Sequence, residues 1–485
     1  MDNQARVGSG RSEGTRRMWR AAMAATGALA SVSAWTVAST AIASDSVPAW
    51  HQATATTFGW GMFEPTVSAD GRFVAFRSAF NFVGTNPDVN FEIFLYDRDS
   101  GSIAQVTQTS NFFGNFEPKI TPSGDAIVFR SLFNFVGTNS DGSFELFEYA
   151  VPTGTFKQLT YTPGTATVSA ARMSADGDAV VFLSNFDGTN DVLRYRRSTG
   201  VLTEVTSLPP GCIVSNPAVN ADGTVVAFRS NHNIAGANPD LSFDIWRWTE
   251  GVGIAPVTQT NKLCELPAID GSGRFVAFLS RANLTGENPG FNREIFIADT
   301  LRGGYTQVTP SLNSGKHLEP VFSPTGAYLL FESERDLVGF NPDKNRELFR
   351  YTLSSGGSEG RGAGVIEQLT QTIGGVSISG LSDQAASNYV TISEDGGHIA
   401  YRNEHELDPD AEDPAPQVNL EIFVAALPPA ATPGDLTGDG LVDESDLAVC
   451  LGAWGTADPA ADLSGDGVVD LVDLSILLGF WSGLG

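Results

Sequence analysis

Only three cysteines occur in 485 residues, which excludes a disulfide-knit scaffold. Positive charge is scarce too: Lys plus Arg total 29 against 56 Asp plus Glu, a formal net charge of −27. A chain so short of cations lacks the positive face needed by a nucleic-acid backbone or an anionic lipid surface. Charged residues of both signs amount to 18% and hydrophobic ones to 41%, too apolar for a disordered tail. Beyond the N-terminal segment no apolar run approaches the length of a lipid-spanning helix. Glycine (52) and phenylalanine (31) are abundant, and together they favour many short strands.

Residues 1–43 read as an export signal. Arg16-Arg17-Met18-Trp19-Arg20 is a basic n-region, and Ala21 to Val37 is a weakly apolar core diluted by Ser and Thr. Ala41-Ile42-Ala43 supplies small residues for cleavage before Ser44. The pair Arg16-Arg17 resembles a twin-arginine signal, with Trp19 in place of the usual Phe. Cleavage removes five arginines and two acidic residues, so the mature chain is more acidic still. The expectation is an exported protein, at the cell surface, in the periplasm or outside the cell.

Self-similarity decides the fold. The segment Phe63-Glu64-Pro65-Thr66-Val67-Ser68-Ala69-Asp70-Gly71-Arg72-Phe73-Val74-Ala75-Phe76-Arg77-Ser78 recurs, with turn glycines at Gly71, Gly124, Gly177, Gly223, Gly273, Gly326 and Gly396. Insertions rich in Gly and Ser around 354–364 and 373–387 explain the longer last interval. Each copy continues with a run such as Phe91-Glu92-Ile93-Phe94-Leu95-Tyr96 and then Gln105-Val106-Thr107. Four strands in about 50 residues is one propeller blade. The last copy ends at Glu421-Ile422-Phe423-Val424, whereas Ala53-Thr54-Ala55-Thr56 matches the fourth strands of other copies. The N-terminal strand is therefore expected to complete the seventh blade and hide both edges. The repeat resembles the TolB-type (WD40-like) propeller repeat over residues 50–426. That resemblance implies a mainly β, seven-bladed propeller and leaves its activity open.

Within the blades, oxygen side chains alternate in one loop. They are Asn86, Asp88, Asn90 and Glu92; Asn139, Asp141, Ser143 and Glu145; Asn238, Asp240, Ser242 and Asp244; and Asn341, Asp343, Asn345 and Glu347. Alternate oxygens can wrap Ca²⁺, but Asx turns that shape the connection are the plainer expectation. Arg77, Arg130, Arg229 and Arg402 end second strands, and Glu92, Glu145, Asp244 and Glu421 open third strands, so intrablade ion pairs are expected. Glu64, Glu117 and Glu319, each before a proline, add acidity at the same end. The search for catalysis is mostly negative. His51, His232, His317, His398 and His405 are scattered without metal-ligand spacing, although His398 and His405 flank Tyr401-Arg402. No Gly-rich phosphate loop appears in the exported region. Cys212 and Cys264 precede first strands of adjacent blades, where a disulfide is plausible.

After a Pro-rich linker (427–434) comes a different composition. Asp435, Thr437, Asp439, Leu441 (through its carbonyl), Asp443 and Asp446 occupy positions 1, 3, 5, 7, 9 and 12 of a calcium loop, with Gly440 at the turn. Asp462, Ser464, Asp466, Val468, Asp470 and Asp473 repeat the set 27 residues on. Leu447, Cys450, Leu451 and Trp454 form an apolar helical stripe that Leu474, Leu477, Leu478 and Trp481 repeat. Loop plus helix, duplicated, resembles a type I dockerin over residues 433–485. The resemblance implies two bound Ca²⁺ and a cohesin-like partner contacted near positions 10 and 11. Those positions hold Glu444-Ser445 in one copy and Leu471-Val472 in the other, so the two faces differ. The domain expectation is a signal (1–43), a propeller (44–426), the linker, and a small α-helical dockerin-like module (435–485). The expected function is an exported, non-enzymatic binding or scaffold protein, the propeller holding a protein or glycan ligand. The alternative is a secreted polysaccharide-degrading enzyme, a lyase or glycoside hydrolase, with its site in the propeller mouth and the dockerin as a targeting tag.

Overall fold

The computed structural model describes residues 48–56, 61–110, 114–164, 166–186, 188–310, 316–353, 364–372, 390–393, 396–403, 421–427, 434, 436–437, 442–456, 458, 461, 463 and 468–479. The expected export signal (residues 1–43), most of the Gly/Ser-rich insertions and most of the linker lie outside them.

Seven four-stranded antiparallel sheets follow one another along the chain. Blade 1 consists of Met62–Val67, Phe73–Ser78, Glu92–Asp97 and Ser102–Gln105, paired in sequence order. Blades 2 to 6 repeat it over 116–158, 168–204, 214–256, 264–307 and 317–368. Blade 7 takes its first three strands from Val390–Ile392, His398–Asn403 and Glu421–Ala426, and its outermost strand from Trp50–Gln52. Trp50 pairs with Ala425 and Gln52 with Phe423, so the N-terminal strand closes the ring as expected. The joint removes the two sheet edges that an open array would leave.

The phenylalanines explain the packing between blades. In every blade an aromatic on the second strand meets a large apolar residue on the third. The pairs include Phe76 with Phe94, Phe129 with Phe147, Phe228 with Trp246, Phe278 with Phe296 and Phe331 with Phe349. All ten are buried, and four of the five pairs stack, at centroid distances of 5.7–6.1 Å. Such pairs contribute roughly 0.5–1.5 kcal/mol each beyond their buried area.

The turn glycines are needed twice over. Gly71 sits at φ 67°, and a Cβ there would come within 2.3 Å of the His398 ring of the preceding blade. Gly223 would meet Ala179 in the same way, also at 2.3 Å. The tight turn at one end of each blade is thus pressed against its neighbour.

Two helices lie near the C-terminus, Glu444–Gly452 and Leu471–Gly479. Asp443 caps the first, accepting from the Ser445 amide, while the Asp446 side chain reaches back to the Asp443 amide. Val442, Cys450, Ala453, Ala461, Val469 and Leu477 form a small buried cluster. The expected apolar stripe is only half buried: Leu451, Trp454 and Leu478 are exposed, and Trp481 lies outside the described residues. Nine-residue helices turn too few residues inward to cover all four positions. No helix among the described residues is long and apolar enough to cross a membrane.

Candidate functional site

One acidic residue opens the third strand of every blade, and in each blade it grips the fourth. The carboxylate of Glu92 accepts from Thr107 Oγ1 (2.5 Å), the Thr109 amide (2.6 Å) and Thr109 Oγ1 (2.7 Å). Glu145, Asp191, Asp244, Glu294, Glu347 and Glu421 hold Thr160, Thr206, Thr258, Thr309, Thr370 and Thr54 likewise. In blade 7 the clasp crosses the ring closure, since Thr54 and Thr56 belong to the N-terminal segment and Glu421 to the last strand.

That arrangement corrects the expected ion pairs. Arg77 stands opposite Ile93, whereas Glu92 stands opposite Ser78, one register step away. Adjacent strand positions face opposite sides of a sheet, so arginine and clasp acid cannot meet. Arg130, Arg229 and Arg402 show the same offset from Glu145, Asp244 and Glu421. Arg77 instead approaches Glu64 (3.5 Å), and Arg130 approaches Glu117 (3.7 Å), both on the innermost strand. Arg229 stacks on Phe243 at 3.9 Å, and burial lowers its guanidinium below the ordinary arginine range. Arg402 donates to the Met62 carbonyl.

Each innermost strand of blades 1 to 6 carries a bulge with a positive-φ residue: Glu64, Glu117, Ala170, Asn216, Leu266 and Glu319. The bulge turns Glu64 sideways, so its carboxylate accepts the Glu117 amide of the next blade at 2.7 Å. Glu117 does the same for the Ala171 amide at 2.9 Å. Beside these carboxylates runs a stack of alternating rings and guanidinium groups. Arg402 and Arg77 lie over Phe63, Arg77 and Arg130 over Phe116, and Arg130 over Phe144. Half-buried cation–π contacts of this kind link blades 7, 1 and 2.

The inner strands enclose a tunnel of about 260 Å³, bordered by Thr66, Lys119, Arg172, Asn216 and Glu319 among others. Lys119 is 8% exposed. Burial, with Arg172 nearby, lowers its ammonium to about 8, against the pull of Glu64, Glu117 and Glu319. Repeat comparison misses this lysine because no other blade carries one at its position; it stands two residues after Glu117 where blade 1 has Thr66.

The histidines stay apart. His51 meets the Tyr96 hydroxyl (2.6 Å), and His232 meets Cys212 Sγ (3.0 Å). His317 is fully buried 3.2 Å from Glu294, and burial lowers its imidazole. His398 lies against Gly71, and His405 is outside the described residues. Cys212 and Cys264 are both free thiols rather than a disulfide. Cys264 bonds Ser280 Oγ within its own blade, and burial pushes its thiol up to about 12.

Of the C-terminal ligand set, Thr437, Asp443, Asp446, Val468, Asp470 and Asp473 are described. Asp435, Asp439, Leu441, Asp462, Ser464 and Asp466 lie outside. The two position-12 residues behave alike. Buried Asp446 accepts the Leu436, Thr437 and Asp443 amides, and buried Asp473 accepts the Asp470 amide. These bonds draw each loop end onto its helix start.

No family model matches the chain, and no curated protein matches it. Solved structures do. An oligogalacturonate lyase from Vibrio parahaemolyticus superposes with a TM-score of 0.52 at 12% identity, over 78% of this chain and 93% of that one. An oligogalacturonate lyase in complex with manganese gives 0.50 at 14% identity, over 78% and 90%. TolB from Acinetobacter baumannii gives 0.36 at 20% identity over 57% of this chain, which spans 61% of that protein. At such identities the likeness to the two lyases is one of fold: a seven-bladed β-propeller.

Proposed function

We propose that the protein is an exported, non-enzymatic scaffold: a propeller that presents a binding face, joined to a calcium-dependent docking module. The observation that carries this reading is the duplicated C-terminal loop. Two twelve-residue sets of oxygen ligands 27 residues apart each lead into a nine-residue helix. In the second copy the positions that the dockerin resemblance assigns to partner contact, Leu471 and Val472, are 69% and 48% exposed. Leu451, Trp454 and Leu478 widen the apolar surface of these helices. An exposed apolar surface of this kind suits a protein partner. Among the described residues no three histidines or acids converge as a metal-binding group, and one acidic residue in each blade serves as a clasp, which supports a binding role over a hydrolytic one.

The mature chain is expected to bind a type I cohesin module in millimolar Ca²⁺, and to lose that binding in chelator and in a Leu471→Asp/Val472→Asp variant. Surface plasmon resonance against a cohesin panel measures this. Absence of binding to every cohesin in Ca²⁺ would sink the docking assignment. The second reading, a polysaccharide lyase, draws on Lys119, a buried amine of lowered basicity beside Arg172 in the tunnel. It requires oligogalacturonate to give an unsaturated, ultraviolet-absorbing product in the presence of the protein and none with Lys119→Met.

A further inference from the structure

The loops between second and third strands contain more than turns. In blade 1 the Asn86 amide nitrogen donates to the carbonyls of Ala79 (3.3 Å) and Asn90 (2.9 Å). Asn139, Asn238 and Asn341 donate likewise to Ser143, Ser242 and Asn345. Pinning the nitrogen turns each Oδ1 the other way, and blade 2 shows what it faces. There Ser143 Oγ lies 3.2 Å from Asn139 Oδ1, 3.1 Å from Asp141 Oδ1, 3.0 Å from Glu145 Oε1 and 3.4 Å from the Thr162 carbonyl. A hydroxyl has one hydrogen for these four acceptors. Blade 4 repeats the crowding: Ser242 Oγ has Asn238 Oδ1, Asp244 Oδ2 and the Thr260 carbonyl around it.

In blades 1 and 6 an asparagine replaces that serine, and no hydroxyl is present. Asn86 and Asn341 are each 1% exposed, and their Oδ1 atoms accept no hydrogen bond; Asn345 Oδ1 accepts none either. The Asn90 and Asn345 nitrogens are committed to Thr109 and Thr372. Buried amide oxygens without donors cost free energy unless something electropositive faces them.

Blade 5 supplies the control. Its loop has Gly290 where the others have Asp88, Asp141, Asp240 and Asp343. There the clasp acid meets a protein cation and the loop satisfies its own asparagine: Arg335 Nη1 lies 2.9 and 3.1 Å from the two Glu294 oxygens and 2.9 Å from the Pro310 carbonyl, and Asn288 Oδ1 accepts the Asn292 amide at 3.0 Å.

We propose that the four loops of blades 1, 2, 4 and 6 are calcium sites. In blade 2 the ligands are Asn139 Oδ1, Asp141 Oδ1, Ser143 Oγ, Glu145 Oε1 and the Thr162 carbonyl. The 3.0–3.4 Å separations from Ser143 Oγ suit oxygens that share one ion at about 2.3–2.6 Å, with water completing the shell. The all-oxygen donor set excludes zinc, which prefers nitrogen and sulfur. Each ion ties a long surface loop to the clasp acid and, through the carbonyl, to the end of the fourth strand.

The test uses the mature chain carrying Asp435→Ala and Asp462→Ala, so that the C-terminal loops do not contribute. After chelator stripping and equilibration in about 1 mM Ca²⁺, elemental analysis is expected to find about four ions per chain. The unfolding midpoint should rise relative to chelator. Adding Asp88→Asn, Asp141→Asn, Asp240→Asn and Asp343→Asn, at the outer rim of the loops, should remove those ions and the calcium-dependent part of the midpoint while the β-sheet circular dichroism stays. Absence of bound calcium in the parent overturns the proposal, as does full retention in the four-site variant. Should that variant fail to fold, the parent alone still decides: no bound ions and an identical midpoint with and without Ca²⁺ refute the sites.

Discussion

The propeller and the C-terminal module reach order by opposite routes. Each blade buries a pair of an aromatic and a large apolar residue between two neighbours, the clasp recurs in all seven blades and the bulge in blades 1 to 6, so each repeat supports the next. Among its described residues the module has six buried side chains in its core cluster and leaves Leu451, Trp454, Leu471 and Leu478 exposed. So small a core offsets little of the entropy of ordering the chain, and the calcium proposed for the module would supply the remainder. On the proposed reading, one region is stabilised by closing a ring, the other by calcium that neutralises its acids.

The largest effect is expected from breaking the ring. Deleting residues 44–60 removes Trp50–Gln52 and the Thr54 and Thr56 hydroxyls that Glu421 holds. The truncated chain should lose cooperative unfolding, with an exposed edge and a buried carboxylate stripped of its Thr54 and Thr56 donors. A melting curve that matches the full mature chain would refute closure as the source of stability.

Next comes one clasp. Thr107 Oγ1 donates to Glu92 and accepts the Ile93 amide, so Thr107→Val strips a buried carboxylate and a buried amide at once. The expected loss is about 2 kcal/mol, read from the denaturant midpoint. A change near zero would mean that the clasp is passive. The smallest effect concerns the tunnel. Burial holds Lys119 at about 8, below its unfolded value of 10.5, so between those pH values the unfolded chain binds more protons and stability rises with pH. Below about pH 8 the charged, desolvated ammonium is destabilising. Lys119→Met should therefore raise the melting temperature at pH 7 more than at pH 10, and an equal rise at both would contradict the assignment.

Much of this architecture is legible in the residues alone. The seven turn glycines count the blades, and the match of Thr54 with Thr107 places the N-terminal strand in blade 7. What meets what across the blade is less legible. Arg77 and Glu92 are near in sequence pattern but one register step apart, and only the bulge at Glu64 brings a carboxylate to that arginine. The loop oxygens are visible as a pattern, yet their lack of donors depends on where Asn86 and Asn341 commit their nitrogens. The half-exposed helical stripe reflects how few neighbours short helices have.

The most direct test of the contrast is hydrogen exchange on the mature chain, with and without chelator. In Ca²⁺ the amides of Glu444–Gly452 and Leu471–Gly479 are expected to be protected. In chelator they should lose that protection while the inner strands of the propeller, such as Phe73–Ser78 and Glu92–Asp97, keep theirs. Helices that remain protected in excess chelator would contradict the account.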